Sequence, residues 1–178
     1  MSKPLAKERI YIIDADAFIE LGQIDDRVVQ LPEEVWKQIE VLLQKGKIIS
    51  SRYVYDEVVI NPQKPNKPMD NVSKWLAPQK AYFIKENTQQ IRYMIEVIGE
   101  FPKLINPEYE KSQADPWLIA LARDLSEQNP DKEFVLVTQE NPASSTKLPA
   151  ACSNYGIKTI NLRQFFDEVG LKLGIQGL

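Results

Sequence analysis

Short apolar runs that stop at an acid or a hydroxyl residue, each set among stretches of helical periodicity, limit what this chain can become. Ile10-Tyr11-Ile12-Ile13 ends at Asp14, and Phe134-Val135-Leu136-Val137 ends at Thr138. Ile48-Ile49-Ser50 and residues 157–160 read as two further strands. Apolar runs this short, without polar alternation, belong to strands covered on both faces. Pro32-Glu33-Glu34 opens a helix with proline and acids in its first turn, and Val35, Ile39, Leu42 and Leu43 carry it toward Gly46. A short helix is expected over 53–60. Pro62, Pro65 and Pro68 make 61–68 a loop, and helical pattern resumes over 69–76. After Pro78 the spacing predicts one longer helix running through Phe83, Ile84, Ile91, Met94, Ile95 and Ile98 to Gly99. Residues 114–125 form a helix that Asp115 can cap, with Pro116 in its first turn and Trp117, Leu118, Leu121 and Leu125 on one face. An amphipathic helix over 162–173 closes the chain, with Phe165, Phe166, Val169 and Leu173 as its apolar set. Strands alternating with helices predict a mostly parallel sheet between two helical layers. The expectation is a three-layer αβα sandwich, a single α/β domain over 1–178 with a helical or loop insertion at about 61–112.

The 178 residues include no histidine and one cysteine, Cys152. Those two facts exclude Ser-His-Asp and Cys-His catalysis, imidazole bases, histidine-ligated zinc or haem, and any intrachain disulfide. Chemistry must come from carboxylates, lysines, hydroxyls or a bound ion. The net charge of −3 argues mildly against a nucleic-acid partner. No apolar run approaches a membrane span. The charged residues 1–9 lead into only the short apolar run 10–13, too little for a signal peptide, so a cytoplasmic location with no membrane partner is expected.

In open parallel sheets, ligands bind beyond the carboxyl ends of the strands. Acids recur there. The first strand ends in Asp14-Ala15-Asp16, and the strongest ends in Thr138-Gln139-Glu140. The second leads to Asp56 and Glu57 on the following helix, and Asp115 opens the helix that feeds the strongest strand. Two carboxylates about 4 Å apart repel by roughly 4 kcal/mol at an effective dielectric near 20. Several brought together must take up protons or share a cation, and oxygen donors alone select magnesium or manganese. Each acid also has a plainer explanation. Asp115 before proline suits a helix cap, Asp14 and Asp16 suit a strand-to-helix turn, and Glu140 suits a solvated loop. Periodicity leaves Asp56 and Glu57 equivalent at the margins of one apolar arc.

These segments resemble the PIN-domain nucleases. IYIIDADAFI over 10–19 resembles their first strand and acid, and VYDEV over 54–58 their second acidic element. ADPWLIALA over 114–122 resembles the third, and VLVTQE over 135–140 the fourth. The spelling is closest to a poorly characterised PIN-like family of suspected toxins, whose ending resembles Thr146-Lys147-Leu148-Pro149, Cys152, Tyr155-Gly156-Ile157 and Asn161-Leu162-Arg163-Gln164-Phe165-Phe166. The resemblance implies a metal-dependent endoribonuclease hydrolysing RNA phosphodiester bonds with Mg2+ or Mn2+. It implies Asp14, Glu57, Asp115 and Glu140 as catalytic metal ligands, Asp16 as an auxiliary acid and Thr138 as the group orienting Asp14. Glu140 stands where many PIN domains carry aspartate. A role as the toxin of a toxin–antitoxin pair, an antitoxin partner and a homodimer follow from the same likeness.

A basic stretch with Lys64, Lys67, Lys74, Lys80 and Lys85, interleaved with Trp75, Tyr82 and Phe83, is a candidate RNA surface. Arg52 is a second candidate for phosphate contact. The bland reading makes the lysines a solvated surface and the aromatics core. Two other functions compete. A degenerate PIN-like module would bind RNA or protein without cutting. A haloacid-dehalogenase-like phosphatase would use Asp14 as nucleophile and Asp16 as proton donor.

Overall fold

The computed structural model describes residues 6–27, 33–61, 66, 68–109 and 113–171, with backbone alone for 24–27. Its elements follow the predicted alternation. Strand β1 (Glu8–Ile13) leads into helix α1 (Ala15–Arg27), α2 (Glu33–Gln44) and β2 (Ile48–Ser51). Helix α3 (Arg52–Tyr55) runs on as a π-helical turn (Asp56–Ile60), and α4 (Asn71–Leu76) leads through a 3-10 segment (Ala77–Tyr82) to β3 (Phe83–Ile84). Then come α5 (Thr88–Glu100), α6 (Ala114–Gln128), β4 (Lys132–Val137), α7 (Leu148–Asn154), β5 (Lys158–Ile160) and α8 (Leu162–Val169).

The five strands form an all-parallel sheet in the order β3-β2-β1-β4-β5. From β1 the chain first builds outward to β2 and β3, and later returns to the other side of β1 with β4 and β5. The direction of growth reverses between β1 and β4, which is where an open α/β sheet leaves a crevice at its carboxyl edge. β1 and β4 pair over their whole length, from Glu8 opposite Lys132 to Ile13 opposite Val137. The ladder continues one step past both strands: the Asp14 amide donates to the Val137 carbonyl at 3.0 Å, and the Thr138 amide to the Ile160 carbonyl at 3.0 Å.

Helices flank the sheet as a three-layer sandwich requires. Phe18 of α1, Ile39 of α2 and Phe165 and Phe166 of α8 close over Ile13 and Ile48. Against the strands β4 and β2 lies α6, with α5 along it and α7 beside it. The central positions Ile12, Val135, Leu136 and Val137 are wholly buried, as uninterrupted apolar strands must be.

The region after Pro78 departs from the sequence expectation of one long helix. Phe83 and Ile84 form the edge strand β3, and α5 begins only at Thr88. The reason is polar. Asn87 caps α5 by accepting from the Gln90 amide at 2.8 Å, while its side-chain amide donates to Asp124 at 2.7 Å. Asp124 is buried and also accepts from the Gln90 side chain at 2.9 Å and from Gln128 at 2.7 Å. Three amide donors satisfy this carboxylate and fix which side of α5 faces α6. Arg123, stacked 3.9 Å over the Tyr93 ring, reinforces that choice. Gln90, Tyr93 and Val97 therefore point inward, and Ile91 and Ile95 are exposed. The closing helix also stops earlier than expected, at Val169, because Gly170 adopts a left-handed cap with φ 72°.

Candidate functional site

Beyond the carboxyl ends of β1 and β4 lies a cleft of about 610 Å³ whose lining includes Asp14, Asp16, Glu57, Asp115 and Glu140. Residues separated by up to 126 positions in the chain thus share one hollow. Asp14 forms its floor, 2% exposed, placed by the register that ends β1. Thr138, one step past β4, donates its hydroxyl to Asp14 Oδ2 at 2.7 Å. The same Thr138 oxygen accepts from the Glu140 amide at 3.2 Å. One hydroxyl therefore couples the floor carboxylate to the loop that carries Glu140. The resemblance had implied this link to Asp14, and the hydrogen bond is present.

The structure separates Asp56 from Glu57. Asp56 turns toward Arg52, 4.0 Å away, and stays outside the cleft. Glu57 enters it, and its Oε1 accepts from the Ala114 amide at 2.7 Å. That bond fills one of the open donors at the start of α6, a service the sequence reading had allotted to Asp115. Asp115 sits one residue inside the helix, whose flanking cap is Gln113, and lines the cleft instead. Glu140 is held at both oxygens. Oε2 accepts from the Leu148 amide at 2.8 Å, and Oε1 lies 3.4 Å from the Lys147 ammonium.

Electrostatics register the crowding. Burial, then the charge of Asp16, pushes Asp14 up to about 7, only partly opposed by Thr138. Asp115 rises well above the carboxylate range, through burial and then through Asp14 and its other acidic neighbours. Glu57 and Asp16 are also raised, first by desolvation, while Lys147 pulls Asp16 back. Cys152 lies close enough to feel Asp14 and Asp115, and burial with those charges drives its thiol far up. It remains a packed thiol and is no nucleophile.

The donor chemistry suits a hard divalent cation: six carboxylates line the cleft, Asp70 among them but engaged with Ser73, and burial disfavours charge on Asp14, Asp16, Glu57 and Asp115. As placed, however, no three of the acids close around a common metal position among the described residues. Glu57 and Glu140 are drawn aside to backbone amides at the starts of α6 and α7, which accounts for the spread. A cation bound here competes with those two helix starts for the glutamates.

Among the described residues, no member of the expected basic surface lines the cleft. Lys74 is exposed on α4 and lines no part of it, and Arg52 is occupied with Asp56. Lys64 and Lys67 fall outside the described residues. Phe83 is buried and Trp75 packs on Trp36 at 4.8 Å, so these aromatics serve the core. Lys147 and Tyr109 do line the cleft and were given no role from sequence. The signal for Lys147 was its place directly before Leu148-Pro149, where a new helix starts eight residues beyond Glu140.

A family model described as a domain of unknown function, DUF4411, matches residues 11–173. The chain belongs to the DUF4411 family. That span runs from within β1 through α8, so every acid of the cleft lies within the DUF4411 match. Among curated proteins no match to this DUF4411 chain is found.

Replacing Thr138 by valine, nearly equal in volume, tests the coupling inside this DUF4411 site. The Asp14 carboxylate loses its donor and the Glu140 loop its acceptor. If the cleft takes up Mn2+, the affinity should fall by about 10- to 100-fold, read by calorimetry, while far-UV circular dichroism stays unchanged.

Proposed function

We propose that this DUF4411 protein is a metal-dependent endoribonuclease that hydrolyses RNA phosphodiester bonds. The observation that supports it is the convergence of Asp14, Glu57, Asp115 and Glu140, with Asp16, in one cleft at the topological switch of a parallel sheet. A bound magnesium or manganese ion supplies Lewis-acid activation of water and stabilises charge at the phosphoryl group. Asp14 and Asp115 would provide the most deeply buried oxygens for it, and Glu57 and Glu140 would provide oxygens now held by the amides at the starts of α6 and α7. Thr138 keeps the Asp14 carboxylate aimed into the cleft. Asp16, exposed at the mouth with a raised pKa, is positioned to accept a proton.

The choice of RNA, a role as a toxin, an antitoxin partner, a homodimer and a cytoplasmic setting rest on the likeness to PIN domains and on sequence composition. No helix among the described residues is long and apolar enough to cross a membrane. The phosphatase reading fits the site less well. Its nucleophile would be Asp14, which is nearly fully buried with Oδ2 already engaged by Thr138.

The purified chain, incubated with end-labelled single-stranded and structured RNAs, should yield internal cuts in Mn2+ or Mg2+ and none after chelation. Intact RNA in every metal condition sinks the proposal. Cleavage of DNA alone would redirect it to deoxyribonucleic acid.

A further inference from the structure

Lys147 is the one cation lining the acidic cleft, among the described residues. Its ammonium stands 3.4 Å from Glu140 Oε1, while the next residue's amide, Leu148, grips Glu140 Oε2 at 2.8 Å. Successive positions of one segment therefore hold both oxygens of a single carboxylate. A divalent cation that recruits Glu140 meets the like charge of the lysine at the same carboxylate, and their repulsion favours the lysine's departure. The displaced side chain has somewhere to go: it is 56% exposed, on a flexible four-carbon stem anchored at the start of α7.

We propose that Lys147 is an exchangeable cation of this site, pairing with Glu140 while the cleft is metal-free and passing to a non-bridging oxygen of the substrate phosphate once a divalent ion takes Glu140. This rests on the nuclease reading and deepens it. A divalent ion and an ammonium would then share the charge of one phosphodiester. No bond is made or broken by the lysine, and its proton stays on nitrogen throughout.

The role makes two predictions of opposite sign. Without RNA, Lys147 competes with metal, so Lys147→Gln should bind Mn2+ about three- to tenfold more tightly than the parent chain. With RNA, the same variant should show a KM raised about tenfold. Lys147→Arg, which keeps the charge, should stay within about twofold of the parent in Mn2+ affinity. Calorimetric titration of Mn2+ into the full chain and both variants, beside steady-state cleavage of an RNA oligonucleotide, reads all three. Equal Mn2+ affinity in the three proteins, with melting temperatures retained, overturns the role of Lys147 alone. Weaker Mn2+ binding in Lys147→Gln, while Lys147→Arg matches the parent, overturns it too. Absence of Mn2+ binding in all three overturns the nuclease reading beneath it.

Discussion

Asp14→Asn should melt at a higher temperature than the parent chain and cut no RNA. The carboxylate is 2% exposed and raised to about 7 by burial and by Asp16, so keeping it ionised at pH 8 works against the folded state. A shift from 3.8 to about 7 corresponds to roughly 4 kcal/mol. Asparagine removes that charge and retains an oxygen to accept from Thr138. Its new amide needs a partner in an acidic surrounding, which the other cleft oxygens can supply. A net gain of about 1–3 kcal/mol is expected, equivalent to about 3–10 °C in a chain of this size. Cleavage should drop by at least about a thousandfold, since the most deeply set oxygen donor is weakened. Differential scanning calorimetry at pH 8 in chelator, beside a gel assay in Mn2+, checks both halves. A variant that melts lower, yet folds and still cuts, removes the buried floor acid from the account.

Mn2+ should stabilise the chain far more at pH 8 than at pH 5.5. In the metal-free protein the sign is opposite to that of an ordinary salt-bridged acid. Below pH 4, Asp14 is protonated in both folded and unfolded chains. Between about 4 and 7 the unfolded chain releases its proton while the folded one retains it, so stability falls as pH rises and levels off above 7. Metal binding reverses the balance because the ligand must be ionised. Displacing one proton held with a pKa near 7 costs roughly thirtyfold in affinity at pH 5.5 and almost nothing at pH 8. Asp115, also raised, steepens the effect. Thermal melts at both pH values, with and without saturating Mn2+, give the test. A metal-induced shift that is the same at pH 5.5 and pH 8 contradicts a site built on raised carboxyls.

Much of this architecture was legible because buried parallel strands announce themselves as short apolar runs. Phe134 to Val137 and Ile10 to Ile13 could be read as buried strands, and the acids beyond their ends followed; that the two strands are neighbours came only from the structure. What escaped was set by contacts across the chain. Periodicity ran a helix through Ile91 and Ile95 without saying which face is buried, and the amides gathering on Asp124 turn those two residues outward. The two-residue strand β3 was swallowed by a longer helix pattern, since only pairing with Ser50 and Ser51 makes it a strand. Asp56 and Glu57 were indistinguishable on a helical wheel that assumed 3.6 residues per turn. The π-helical turn over 56–60 has a wider period, and Arg52 and the Ala114 amide sort the two acids.

The two amides that extend the ladder past β1 and β4 divide the hollow into parts of unequal constancy. Asp14 and Thr138 are moored by the sheet itself and can shift only if its central strands shift. Glu57, Glu140 and Lys147 hang from a helical turn and a connecting loop, where insertions and exchanges disturb little else. Such a scaffold keeps its buried acid in place while the margin of the hollow is free to be recast, so a new ligand preference can be acquired there without refolding the interior.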